Sequence, residues 1–292
     1  MDFERQVEQY RQQAEQALKD WFPGEASEPE VLHVAMGHAL EAGGKRLRPV
    51  LILAAADLFA RRAAPEAAAA AIEMLHTYTL VHDDLPCMDD SPLRRGQPSV
   101  HAKYGETVAV LAGDALLTEA FAVLGRGYAE QPEVGLRLVR TLAEASGSLR
   151  LIGGQTADTL WEGRQVSAAE LDRIHLNKTS ALFSAALQMG LLCTDASNES
   201  IALGARIGED LGLAFQIIDD ILDATSDAKT LGKQVGGDAA KGKNTYVQLH
   251  GIDPSRQRAR ALTQSALKHC QSLSADTAFL EQLIRTMEAR VV

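Results

Sequence analysis

The chain has 292 residues, of which 46% are hydrophobic, 23% charged and 5% aromatic, with a formal net charge of -10. This is the profile of a globular protein long enough to bury a sizeable core, and the acidic balance excludes a general basic surface for a phosphate backbone, so nucleic acid is not expected as a partner. Cys87, Cys193 and Cys270 are scattered and odd in number, which suits reduced packing residues rather than a disulfide framework. Charges recur through MDFERQVEQYRQQ and no uncharged stretch reaches the roughly 20 residues of a spanning helix. The expectation is a cytoplasmic protein with no membrane span.

In chain order, Phe3, Val7, Tyr10, Ala14, Leu18 and Trp21 recur at helical spacing and predict an amphipathic helix ending near Pro23-Gly24. Further helices are predicted over 30–41, 50–62, 66–85, 100–125, 132–149, 168–193, 200–225, 254–272 and 276–289. Pro65, Pro132 and Pro254 sit where a first helical residue would lie, and Ser167 and Glu170 have the spacing of a capping box. Two long connections, 86–99 and 226–244, each directly follow an aspartate cluster, and loops of that length are often functional. With Ala, Leu, Glu, Gln and Arg abundant, the expected fold is all-α: one large helical bundle over residues 1–292.

Asp219, Asp220 and Asp223 lie on a predicted apolar helix, FQIIDDILD, with Asp219 and Asp223 only ~40° apart around its axis. Carboxylates gathered beside Ile217, Ile218 and Ile221 need cations, and an all-oxygen ligand set points to a hard ion such as Mg2+. The second cluster, in HDDLPCMDDSPLRRG at residues 82–96, separates Asp83 from Asp89 by six positions, which on an unbroken helix points them about 120° apart. Pro86 ends or distorts that helix near Leu85, so the chain can curl Asp89 and Asp90 back toward Asp83. The basic turn Gly43-Gly44-Lys45-Arg46-Leu47-Arg48-Pro49 and the pair Arg94-Arg95 complete a pattern suited to a substrate rich in phosphate.

The ordered set GGKRLRP, HDDLPCMDDSPLRRG, GGQTAD, NKTSALF, FQIIDDILD and LGKQVGGDAAKGKNTY runs from about residue 35 to 250 and resembles the trans-prenyl diphosphate synthases, most of all bacterial farnesyl diphosphate synthases. The resemblance implies the isoprenoid synthase bundle, a central active-site cavity closed off by two facing Asp-rich motifs, and a homodimer. It implies a Mg2+-dependent prenyltransferase that joins isopentenyl diphosphate head-to-tail to an allylic diphosphate, with three Mg2+ per site. Carried over by position, Asp83 and Asp89 bind two Mg2+ and Asp219 the third, with Asp84, Asp220 and Asp223 assisting. Lys45, Arg48, His76 and Arg95 hold the diphosphate of isopentenyl diphosphate. Arg94, Lys178, Thr179, Gln216, Lys233 and Lys243 hold or surround the allylic diphosphate.

Tyr78 and Thr79 precede Asp83 by about 6 to 7 Å of helix rise. The resemblance makes a bulky ring there a floor for the growing chain and implies a fifteen-carbon product, with geranyl- or geranylgeranyl-producing synthases as alternatives. His82 and Cys87 read as ordinary packing residues. A terpene cyclase needs no second diphosphate site, and a noncatalytic partner subunit would have lost site residues; the second DDxxD, the GGKRLRP turn and the complete acidic set oppose both. Ser91-Pro92, Val247 and Gly236-Gly237 depart from the family's pattern and bear on loop geometry.

Overall fold

The computed structural model describes residues 2–225 and 243–289. Its regular structure is all-α apart from one pair of two-residue strands among the described residues. Contacts divide the chain into two compact units, Met1–Leu53 with Ala63–Val139, and Ala54–Arg62 with Arg140–Val292.

In the first unit, α1 (Phe3–Trp21) buries Tyr10, Ala14, Ala17 and Leu18, three of which lie on the predicted stripe. After α2 (Glu30–Glu41) and the start of α3 (Leu47–Ala56), helix α4 (Glu66–Asp83) is of another kind. Residues Ala67 to Ala71, Ile72, Met74 and Leu75 are all buried, as is Glu73 among them, so α4 is buried round its circumference and runs through the unit's interior. Its alanines let α1 and α6 (Glu106–Gly127) pack closely: a Cβ placed on Gly127 would lie 2.5 Å from that of Ala67. Helix α6 has the length and hydropathy of a membrane span, 22 residues at mean hydropathy 1.7. It nevertheless carries Asp114 and a Glu119–Arg126 ion pair, and it buries Ala109, Ala112, Leu116, Ala120, Val123 and Leu124 within the unit, as a core helix does.

The single helix expected over 100–125 is divided by Gly105, whose φ of 86° ends α5 (Val100–Tyr104) and starts α6. Ahead of α5, β1 (Leu93–Arg94) pairs with β2 (Gln97–Pro98) around Arg95 and Gly96, at φ 53° and 79°. Two left-handed residues are what a two-residue hairpin turn requires.

Helix α7 (Pro132–Ser146) starts at its proline, as expected. In the second unit, α8 (Leu151–Leu160) occupies a stretch the sequence reading leaves as a connection. Gly153 and Gly154 lower helix propensity there, yet Gly154 serves a packing purpose, since a Cβ on it would lie 2.4 Å from the backbone nitrogen of Lys178. Helix α9 (Ala168–His175) opens on the predicted capping box, with the Ser167 amide donating to Glu170 at 2.9 Å and the Glu170 amide to the Ser167 hydroxyl at 3.3 Å. The predicted helix over 168–193 then widens into a π turn, Leu176–Ser180, before α10 (Ala181–Leu192).

Helix α11 (Asn198–Thr225) lies against α10 along Gly204, Gly208 and Gly212. A Cβ would fall 2.4 Å from Ser184 Cα at Gly208 and 2.5 Å from Ser180 Cα at Gly212, so the two backbones touch. On the opposite side Leu213, Ala214, Ile217, Ile218 and Ile221 pack with Tyr246, Ala259 and Leu262 of α12 (Tyr246–His250) and α13 (Ile252–Gln271). Helix α14 (Ala278–Glu288) completes the unit.

Several ends differ from expectation. Helix α3 stops at Ala56 rather than 62 because the next residues bond sideways, Arg62 N–H to Cys193 O at 2.8 Å and Asp195 N–H to Ala60 O at 3.0 Å. Gly251, at φ 82°, starts α13 two residues early, so Pro254 is its third residue, where an amide has no helical acceptor to lose. Cys193 and Cys270 are buried packing residues, whereas Cys87 is exposed. Because backbone cannot move aside as a side chain can, Gly208→Ala is expected to cost about 2–3 kcal/mol of stability, read as a lowered urea midpoint; an unshifted midpoint would show that α10 and α11 separate freely.

Candidate active site

Helix α4 ends at Asp83, two residues before the predicted break, and the loop then folds back over its last turn. Asp89 N–H donates to Asp83 O at 2.9 Å, Asp90 N–H to Leu85 O at 3.1 Å and Ser91 N–H to Asp84 O at 3.1 Å. Asp89 is thereby returned to Asp83, and Asp90 takes a left-handed φ of 48° to allow it. Asp83 and Asp89 are half-buried, whereas Asp84 is buried and clasped by Arg94, whose Nε lies 3.1 Å from both carboxylate oxygens and whose Nη2 also donates. Burial works against the Arg94 charge, but Asp84, Asp83 and Asp89 more than offset it and raise the guanidinium pKa.

About two turns earlier on α4 lies a group of opposite sign. His76 is ~20° from Asp83 around the helix. Burial, then the guanidinium groups of Arg48, Arg95, Arg46 and Arg94, hold its imidazole well below its usual 6.5, so it stays neutral among cations. Lys45 is exposed and Arg48 half-buried on the same turn, while Arg46 is directed inward. Guanidinium groups converging on one side chain favour an anion there, and two of the four, Arg94 and Arg46, are already paired with carboxylates.

Tyr78 is buried, and its hydroxyl has no hydrogen-bond partner among the described residues. Burial, with Asp83 nearby, pushes its pKa up to about 12. Its ring meets His82 edge-on at 5.7 Å, and His82 bonds Val110 O at 3.0 Å through Nε2 while filling the notch left by Gly113. Thr79 directs its hydroxyl to His76 O at 2.7 Å.

The second unit repeats the pattern of one inward carboxylate between two half-buried ones. Asp219 and Asp223 are half-buried on α11, while Asp220 is buried, with Oδ1 accepting from Gln216 Nε2 at 3.0 Å and Oδ2 from Tyr246 N–H at 2.9 Å. Thr179 Oγ1 donates to Gln216 Oε1 at 2.8 Å, linking the π turn to α11. From the same turn Lys178 reaches Asp158 at 2.6 Å. Lys243 is half-buried, and Asn244 bonds Trp161 O at 2.9 Å. Lys233, Gly236 and Gly237 lie outside the described residues.

The sequence reading missed Glu15, Glu73 and Asp158, the partners of its cations, and His175. Asp158 closes the GGQTAD motif, but nothing in the sequence tells that its carboxylate meets Lys178. His175 stacks on Tyr246 at 5.5 Å and sits 3.7 Å from Asp220.

The acidic residues suit Mg2+. Among the described residues no three His, Cys, Asp or Glu side chains form a ready metal cage. Half-buried pairs of hard oxygen donors, Asp83 with Asp89 and Asp219 with Asp223, fit an ion that takes one or two carboxylates and completes its shell with water and substrate phosphate.

A polyprenyl synthetase family profile matches residues 29–285. The chain belongs to that family. The chain is 42% identical to farnesyl diphosphate synthase of Escherichia coli over 97% of both chains. It is also 42% identical to geranylgeranyl pyrophosphate synthase 11 of Arabidopsis thaliana over 86% of this chain and 72% of that one. A crystal structure of an FPP/GFPP synthase from Zymomonas mobilis shares 33% identity and superposes with a TM-score of 0.86, covering 98% of this chain and 99% of that one. A Helicobacter pylori geranyltransferase, crystallised with magnesium and isoprenyl diphosphate, shares 32% identity at a TM-score of 0.81 over 97% and 96% of the chains. The chain is thus a prenyltransferase with the all-α fold of those enzymes.

Burial lowers the His175 pKa from 6.5 to about 4, helped by Lys178 and opposed by Asp158. The unfolded chain protonates this group first, so the associated stability is complete above pH 6.5 and lost as pH falls toward about 4, by roughly 3 kcal/mol. His175→Phe keeps the stack on Tyr246 and removes the proton, so its melting temperature is expected to drop less than the parent's between pH 7 and pH 4.5, measured by calorimetry.

Proposed function

We propose that the protein condenses isopentenyl diphosphate with dimethylallyl or geranyl diphosphate to give farnesyl diphosphate. The observation that carries this reading is the cluster of Arg48, Arg95, Arg46 and Arg94 around neutral His76. It is an anion site about two turns along α4 from Asp83, as a second diphosphate requires. Lys45, Arg48, His76 and Arg95 bind the isopentenyl diphosphate there. Lys178, Thr179, Gln216, Lys243 and Lys233 hold the allylic diphosphate, with Arg94 near it.

Asp83, Asp89 and Asp219 are the residues that would hold three Mg2+, with Asp223 assisting, and when bound these ions supply Lewis-acid neutralisation of the leaving diphosphate. Asp84 and Asp220 act through the groups they grip, Arg94 on one side and Gln216 with the Tyr246 amide on the other. The basic residues stabilise diphosphate as the allylic C–O bond breaks. The isopentenyl double bond, held close, forms the new C–C bond, and a proton leaves to the released diphosphate. The residues of 1–292 serve as one catalytic domain. Exposed Val110 and Leu111 on α6 and Leu136 on α7 support a homodimer, and the three thiols fit a cytoplasmic enzyme.

The buried Tyr78, about 7.5 Å of helix rise below Asp83, supports a fifteen-carbon limit. Incubation with Mg2+, labelled isopentenyl diphosphate and each allylic primer is expected to yield farnesyl diphosphate as the main product; a twenty-carbon main product would favour the geranylgeranyl reading. Tyr78→Ala is expected to lengthen the product, and an unchanged spectrum would refute the floor. Asp83→Ala and Asp219→Ala are each expected to lose about 10³-fold or more in turnover with the fold retained, as judged by circular dichroism.

A further inference from the structure

Arg46 is the central cation of the GGKRLRP turn, yet the proposed reaction gives it no substrate to bind. Its side chain is 1% exposed. Nε donates to Glu15 Oε1 at 2.8 Å, Nη1 to Glu73 Oε1 at 2.9 Å, and Nη2 to Leu40 O at 2.5 Å and Glu15 Oε2 at 3.4 Å. One guanidinium thus joins α1, α2 and α4 to the turn. The Arg46 backbone is left-handed, φ 48°, a conformation that residues other than glycine keep only where their surroundings impose it.

Two further contacts connect this clamp to the anion site. Glu73 lies one turn before His76 on α4, so the clamp and the cationic cluster share a helix face. The Arg95 guanidinium lies against Gly44, where a Cβ would fall 2.6 Å from Arg95 Cζ; the turn is therefore held from inside by Arg46 and covered by Arg95. A buried ion network of this kind is a poor source of stability, since apolar residues of similar volume commonly do as well. What it supplies is a single geometry. A lysine would present one ammonium where four acceptor atoms from three residues are arranged around a planar fork.

We propose that Arg46, clamped by Glu15 and Glu73, is a positioning residue for the isopentenyl diphosphate site: it locks the 43–48 turn so that Lys45 and Arg48 meet the diphosphate in one orientation. The inference rests on the assignment of that site made above. It predicts a defect confined to one substrate, which a general loss of stability would not produce.

Steady-state kinetics with each substrate varied in turn provide the test. In Arg46→Lys, KM for isopentenyl diphosphate is expected to rise about tenfold while KM for geranyl diphosphate stays within about twofold. Glu15→Gln alters the partly exposed end of the clamp and should move the same KM in the same direction, by about threefold, so it carries the test if the Arg46 variant does not fold. Equal rises in both KM values, or no rise in either variant, overturn the inference. If the parent protein fails to condense the two substrates, the functional reading falls instead. Calorimetric titration with isopentenyl diphosphate alone then decides the Arg46 question, with weaker binding in the variants supporting the clamp and unchanged binding overturning it.

Discussion

The carboxylate of Asp84 lies below the surface of the first unit in the grip of Arg94, and that of Asp220 lies as deep in the second, bonded to Gln216 and the Tyr246 amide. Charge can be buried only where it is matched, and each motif meets that condition with its second aspartate. The matched group anchors the backbone, and its neighbours Asp83 with Asp89 and Asp219 with Asp223 remain half-buried. In the first unit the anchor also orders the loop, because Ser91 N–H bonds the carbonyl of Asp84 itself. In the second it joins segments far apart in the chain, the π turn through Thr179 and Gln216, and α12 through Tyr246.

The same principle governs the cations. Arg46, Arg48, Arg94 and Arg95 all act on His76, and such a group would repel itself were every member left for ligand. Arg94 is paired with Asp84, and Arg46 with Glu15 and Glu73. Internal carboxylates thus neutralise two members and hold them still. Burial and these neighbours keep His76 uncharged, so it adds no further positive charge to the group.

Features governed by short-range periodicity were legible in the sequence. The stripe of α1, the Ser167–Glu170 box and the convergence of Asp219 and Asp223 all follow from spacing within a few turns. So did the loop reversal at Pro86, since a proline there leaves the chain few ways to continue, although the helix stops at Asp83 rather than Leu85. What sequence did not reveal depends on distant partners. Gly153 and Gly154 read as helix breakers because nothing local shows that Gly154 faces the Lys178 backbone. The inward turn of Asp220 depends on Tyr246, 26 residues later, and that of Arg46 on Glu15, 31 residues earlier. Lys233, expected to hold allylic diphosphate, lies outside the described residues.

The π turn at Leu176–Ser180 carries one residue more than an α-helix needs for the same rise. Deleting one residue there would restore a regular helix without turning α9 and α10 against each other, since the wide turn absorbs the extra residue locally. Lys178 and Thr179, which bond Asp158 and Gln216, lie inside the turn, so they are the residues whose presentation such a deletion would change. The extra residue is therefore a local device: it sets how two contact-making side chains are presented and leaves the register of the helices on either side unaltered.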